Sequence, residues 1–213
     1  MSVCGGGWVR WLSAGLITTL LSTASCTELK RWVYEGPARD RWQQPERVIE
    51  SLSLAPGSPV ADLGAGSGYF TFRLAEAVGT TGEVLAVDVD EAMNASLRAD
   101  LRQRGVANVE VVLASASDPR LAPESLALVF SSNTYHHLKD RVAYFARLRP
   151  ALAPGGRLAL IDFVPEGLFQ RRHAAKVATM RAEMESAGYV RVASVAFLEP
   201  QNFEIFAPVQ AVP

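Results

Sequence analysis

Residues 60–68 read V-A-D-L-G-A-G-S-G: a short apolar run, an acid within it, then three glycines at alternate positions. Twenty residues past Gly68, a second apolar run, E83-V-L-A-V, closes on Asp88. A buried strand, a glycine turn, a helix and a second strand ending in a carboxylate make a nucleotide-binding half-site. The glycines let the backbone take positive φ and let a ligand approach where a Cβ would collide. The helix after the turn directs its first N–H groups at that ligand. A carboxylate at the end of the second strand can accept hydrogen bonds from both ribose hydroxyls. In a dinucleotide-binding turn, G-x-G-x-x-G, the third glycine lies three past the second. Tyr69 occupies that position here. The pattern is G-x-G-x-G, which disfavours a nicotinamide dinucleotide.

The rest of the chain continues the alternation. Helices are predicted over residues 45–54, 69–78, 91–105, 138–152 and 173–187, with Pro150 ending or kinking the fourth. Strands are predicted over 60–63, 83–87, 109–113, 126–131 and 157–163, then near 189–197 and 201–207. Strands alternating with helices predict a parallel sheet covered on both faces, with ligands at the carboxyl ends of the strands. The chain has 213 residues, 49% of them hydrophobic, enough for one core. Its net charge of −1, with Lys and Arg spread along the chain, argues against a nucleic-acid partner.

Four segments carry a family resemblance. They are D62-L-G-A-G-S-G-Y-F70, A86-V-D-V-D90, L126-A-L-V-F-S-S-N133 and L152-A-P-G-G-R-L-A-L-I-D162. In order and spacing they resemble the successive motifs of class I S-adenosylmethionine-dependent methyltransferases, over roughly residues 40–205. The resemblance implies an α/β, Rossmann-like, seven-stranded and mostly parallel sheet, with helices on both faces and an antiparallel terminal hairpin. It also implies S-adenosyl-L-methionine as cofactor and methyl transfer to a small-molecule acceptor. The competing reading is a catalytically silent, methyltransferase-like exported lipoprotein that binds a nucleoside-type ligand.

The same resemblance assigns cofactor contacts to Asp62, Gly64, Ala65, Gly66, Gly68, Tyr69, Asp88, Val89, Ala116 and Asn133. Asp62 would serve the methionine end and Asp88 the ribose, with Val89 beside the adenine. Many relatives read G-D-A after the third strand; here Ala114, Ser115 and Ala116 stand there, with Asp118 close by as a substitute. Arg41, Trp42 and Gln43, in R39-D-R-W-Q-Q44, are expected to cover the cofactor. After the fourth strand comes N133-T-Y-H-H-L138. Asn133, Tyr135 and His136 are candidates at the reacting end, His136 as a general base with an unperturbed pKa of about 6.5. The adjacent His136 and His137 do not read as a metal site, because no Cys or paired carboxylate stands at ligand spacing. His173 follows the fifth strand.

The N-terminus reads differently. Arg10 precedes W11-L-S-A-G-L-I-T-T-L-L-S-T-A-S-C26, the layout of a signal peptide over residues 1–25. Residues 23–26, T-A-S-C, resemble a bacterial lipoprotein processing site, which would leave a lipid anchor at Cys26 as the chain's membrane contact; the alternatives are an uncleaved membrane anchor or a mis-assigned start ahead of a cytoplasmic enzyme. Residues 26–44 are expected to form a tether and cofactor cover, and residues 45–213 the methyltransferase domain.

Overall fold

The V-A-D-L run forms β1 (Pro59–Leu63), near the middle of a seven-stranded sheet. The computed structural model describes residues 39–164, 176–199 and 201–209. The other strands are β2 (Glu83–Asp88), β3 (Val109–Leu113), β4 (Leu126–Ser132), β5 (Leu152–Phe163), β6 (Tyr189–Val195) and β7 (Gln201–Pro208). Their order across the sheet is β3-β2-β1-β4-β5-β7-β6. The first five are parallel, while β7 runs antiparallel to both β5 and β6. This is the sheet and terminal hairpin that the sequence resemblance implied.

Side-chain alternation splits each central strand between two cores. On one face Ala61, Leu63, Val129, Leu158 and Leu160 pack with α5 (Arg141–Leu148) and α6 (Val177–Ser186), through Phe145, Leu148, Met180 and Met184. On the other, Val60, Val84, Leu128, Phe130 and Ile161 meet α2 (Pro45–Leu52) and α3 (Thr71–Val78) through Val48, Leu52, Leu74 and Val78. Leu97 and Leu101 of α4 (Glu91–Arg104) extend that layer over Ala86. Strands covered on both faces must be apolar throughout, which is why they read as unbroken hydrophobic runs.

Several element ends differ from the sequence-based expectation, each for a local reason. The helix after the glycine turn starts at Thr71 rather than Tyr69, because the turn extends through Phe70. The first predicted helix stops at Leu52, where Ser53 takes a left-handed φ of 48°. In the predicted 138–152 helix, Asp140 caps α5 by accepting from Ala143 N–H at 3.3 Å. Pro150 then forces a 3-10 turn, Arg149–Ala151. That early stop frees Leu152 to begin β5 five residues before Arg157, paired with Leu126 across a register shift. Ahead of α2, residues expected to be tether include a short helix, α1 (Arg39–Gln43). His173 and Cys26 lie outside the described residues. No helix among the described residues is long and apolar enough to cross a membrane.

Candidate functional site

The chain runs outward from β1 through β2 to β3, then returns to place β4 on the other side of β1. At such a reversal the loops leaving the carboxyl ends diverge and open a crevice. The glycine turn sits in it. Gly66 has φ +54°, and a Cβ built on it would have nothing within 4 Å. Its N–H donates to Asp88 Oδ2 at 2.8 Å, while Asp88 Oδ1 accepts from Asp90 N–H at 2.9 Å. Two backbone donors thus orient the Asp88 carboxylate, and each oxygen keeps a second lone pair for a ligand hydroxyl. Gly64 and Gly68 serve packing as well as conformation. At Gly64 a Cβ would run into Thr134 of the β4 loop, and at Gly68 it would stand 2.9 Å from the Phe72 ring. Ala65 is buried against Ala86 and Leu97.

Asp90 itself caps α4, accepting from Ala92 and Met93 N–H at 3.0 and 3.2 Å. Between the two acids, Val89 is 59% exposed. Beyond β3, Ala116 is exposed and the Asp118 carboxylate accepts from Arg120 N–H at 2.8 Å, so this acid closes its own turn.

Asp62 is 3% exposed and accepts a hydrogen bond from Thr71 Oγ1 at 2.6 Å. Burial dominates its titration and pushes its pKa up to about 6. The Thr71 hydroxyl and Arg39 oppose that rise, and Asp88 reinforces it. Tyr69 lies between two guanidinium groups, Arg39 at 3.6 Å and Arg73 at 4.4 Å from its ring centre. Its hydroxyl donates to Asp40 Oδ1 at 2.5 Å. Burial first, then this bond, holds the phenol well above its ordinary pKa. Arg41, expected over the cofactor, is exposed, and Arg39 is the arginine of this segment that meets the glycine-turn residue Tyr69. Trp42 rests on Phe163 at the end of β5, ring centres 5.6 Å apart.

Asn133 takes a left-handed φ of 59°. Its side chain enters a ring of three amides: Gln43 Nε2 donates to Gln201 Oε1 at 2.7 Å, Gln201 Nε2 to Asn133 Oδ1 at 2.5 Å, and Asn133 Nδ2 to Gln43 Oε1 at 3.5 Å. The ring pins α1 to the β4 loop and to β7. Asn133 therefore joins α1 to the sheet, a role the sequence did not indicate. Tyr135 is a correction. It is 1% exposed, stacked on Phe145, and its hydroxyl donates to Glu183, which Arg141 holds at 2.6 and 2.8 Å. Its side chain points into the core of the α5–α6 face, so it is not presented to a reacting group.

His136 is anchored by Asp162, the last acid of β5 and fully buried. Asp162 Oδ2 accepts His136 N–H at 2.9 Å, and Oδ1 lies 2.7 Å from His136 Nδ1 while accepting Phe163 N–H at 2.8 Å. Asp162, Gln201 and Arg39 were missed as site residues. For Asp162 a signal existed: L-A-L-I-D162 is an apolar strand ending on an acid, as are the runs to Asp62 and Asp88.

Comparison with known proteins now fits this geometry. Residues 60–156 match the protein-family model described as a methyltransferase domain. This central stretch of the chain is similar to a methyltransferase domain. It is 30% identical to nocamycin O-methyltransferase of Saccharothrix syringae over 72% of its length. It is 31% identical to a ubiquinone/menaquinone biosynthesis C-methyltransferase of Ectopseudomonas mendocina over 68% of its length. It spans 57% of the length of each of these relatives. A SAM-dependent methyltransferase from Aquifex aeolicus shares the fold, with TM-score 0.77 and 24% identity over 86% of this chain and 96% of that one. The methyltransferase domain and these relatives imply S-adenosyl-L-methionine as the cofactor.

Proposed function

We propose that the chain transfers a methyl group from S-adenosylmethionine to a small-molecule acceptor. The observation that carries this reading is the clamp between Gly66 N–H and Asp88, with open space above Gly66. In this reading the Asp88 oxygens accept the two ribose hydroxyls and Val89 lies against the adenine. The buried Asp62 carboxylate faces the methionine amino group, and Arg39 of α1 closes the crevice together with Tyr69 of the glycine turn. Bound there, the cofactor supplies an activated methyl on a sulfonium. The protein's part is to hold donor and acceptor in line and exclude water. The relatives named above are an O- and a C-methyltransferase, which supports a small acceptor without naming it.

Calorimetric titration with S-adenosylmethionine and S-adenosylhomocysteine tests the reading. Both are expected to bind, and Asp88→Ala to weaken both by about 1–3 kcal/mol through lost charge-assisted hydrogen bonds. Unchanged affinity in that variant removes Asp88 from the ribose site.

Asp62 gives the binding a pH dependence. Without ligand its pKa stands near 6. A cationic amino group favours the carboxylate, so binding expels a proton at pH values below that. Affinity is expected to fall about tenfold for each unit below pH 6 and to level off above it. The fold responds in the opposite direction. The native state binds the extra proton between the ordinary Asp pKa and 6, so this group's contribution to stability falls as pH rises through that window, by about 3 kcal/mol in all. Asp62→Asn keeps an oxygen for Thr71 and removes the charge. It should be more stable than the wild type at pH 7 by denaturant titration, and bind more weakly with no pH slope between 5 and 6. A variant that loses stability at pH 7 contradicts this account.

We propose also that residues 1–25 direct export and that Cys26 carries a lipid anchor, on the strength of the charge, apolar run and T-A-S-C pattern. The mass of the membrane-extracted chain decides it: a start at Cys26 with added acyl groups supports the anchor, and an unmodified full-length chain rejects it.

A further inference from the structure

Between β3 and β4 the chain forms no helix. In a doubly wound sheet, a helix from that crossover covers this end of the sheet. Here α5 does so: Tyr144 and Phe145 share one core with Val87 of β2 and with Ala114, which follows β3. Arg147 Nη1 donates to Ser117 O at 2.9 Å and ties α5 to the loop after β3. That loop closes on itself. Ser115 N–H donates to Asp118 O at 3.0 Å, and Ser115 Oγ accepts Ser117 N–H at 3.4 Å. Tyr144 is 4% exposed, yet none of the described residues pairs with its hydroxyl, and its oxygen is not among the unpaired side-chain atoms sealed from water. Its charged neighbours are the carboxylates at this corner of the crevice. After burial, Asp118 and then Asp88 raise its pKa, so the hydroxyl keeps its proton and can donate as well as accept.

We propose that the Tyr144 hydroxyl reads the 6-position of the cofactor's purine, and that the site takes 6-amino and 6-oxo purines alike. This rests on the methyl-transfer reading above, which lays the base over Val89 beside Asp88. The loop after β3 has no side chain set aside for the base: Ser115 stands in a tight turn, and Asp118 Oδ1 accepts Arg120 N–H at 2.8 Å. Tyr144 comes from the opposite side of that loop, with a rigid ring fixed by the core and one free polar atom at its tip. A carboxylate in this place accepts only, so it takes a 6-amino group and repels a 6-oxo group. A protonated hydroxyl accepts from the first and donates to the second. The identity of the reading group therefore sets how strictly the chain distinguishes an adenine base from a hypoxanthine base. A site built around one polarity of hydrogen bond leaves a buried group unpaired with the wrong base, and a hydroxyl that serves both polarities does not.

Calorimetric titration of the full chain with three ligands tests the proposal: S-adenosylhomocysteine, S-inosylhomocysteine, and the analogue whose purine has no 6-substituent. The wild type is expected to bind the first two within about tenfold of each other and the third about tenfold more weakly than the first. Tyr144→Phe is expected to weaken the first two by about the same factor and to leave the third nearly unchanged. That coupling between the hydroxyl and the 6-substituent is what a merely structural role would not produce. The variant removes one oxygen that no protein group holds, so its denaturant midpoint should match the wild type. Equal losses for all three ligands, or none, overturn the proposal. So does a wild type that rejects the inosyl ligand by about 100-fold or more, the mark of a carboxylate reader; recovery of that ligand in Asp118→Asn would then name the residue. A wild type that binds none of the three overturns the methyl-transfer reading and this proposal with it, whereas binding that is indifferent to Tyr144 overturns this proposal alone.

Discussion

Gly66→Val is expected to lower affinity for S-adenosylmethionine by at least about 100-fold, some 3 kcal/mol, while the fold survives. The two halves of that expectation have separate causes. The position is left-handed, and a β-branched residue there costs about 1–2 kcal/mol. That is a tolerable loss for a domain with a two-sided core. No protein atom lies within 4 Å of the added Cβ, so packing is not disturbed. The space it enters is the crevice above Asp88, and the two valine methyls fill what a ligand backbone approach requires. The backbone strain also tilts the N–H that fixes the Asp88 carboxylate. Titration calorimetry beside a denaturant midpoint checks both halves. Normal binding by a folded variant would mean that the glycine turn is not the ligand's cradle. Loss of the fold would mean that Gly66 is packed more closely than its surroundings indicate.

Gly64→Ala is expected to do the reverse, costing about 2–5 kcal/mol of stability before any question of binding arises. Its φ is +78°, and the new Cβ would collide with the Thr134 hydroxyl, with Thr134 Cγ2 and Cβ only 2.7 and 2.8 Å away. Neither backbone yields easily: Gly64 N–H is bonded to Val87 O at 2.8 Å, and Asn133 N–H to Ile161 O at 2.8 Å. The steric share can be separated from the conformational one. Thr134→Gly in the same chain clears the collision and should return roughly half of the lost stability, leaving the cost of the left-handed residue. Urea titration of the two variants measures this. No recovery in the double variant would show that the contact with Thr134 does not limit the packing of the two loops.

These neighbouring glycines show what was legible in the sequence. G-x-G-x-G between two apolar strands announced a ligand turn, and the acid at Asp88 placed the second strand. Nothing in the motif distinguished Gly66, which borders open space, from Gly64, which borders Thr134. That difference depends on β4 returning beside β1, a contact between segments about 70 residues apart in the chain. The site divides in the same way. Asp62, Asp88 and Val89 follow directly from strands that must end at the crevice. Tyr135 was misread because its neighbours on both sides face the loop region. The 3-10 turn rotates its side chain under the sheet edge, toward Phe145 and Glu183.

The sequence alone determined the class of fold. Hydrophobic period and glycine spacing are local properties, and they suffice to say that strands alternate with helices and that the first strand leads through a glycine turn into a helix. Only the tertiary structure decided which side chains act together. It joined Gln43, Asn133 and Gln201 into one amide ring across 158 residues of chain, and set Asp162 beneath His136 across 26. The physical reason is that hydrogen-bond partnership depends on distances of about 3 Å. Those distances are fixed by strand order and register, and neither is written in any single segment.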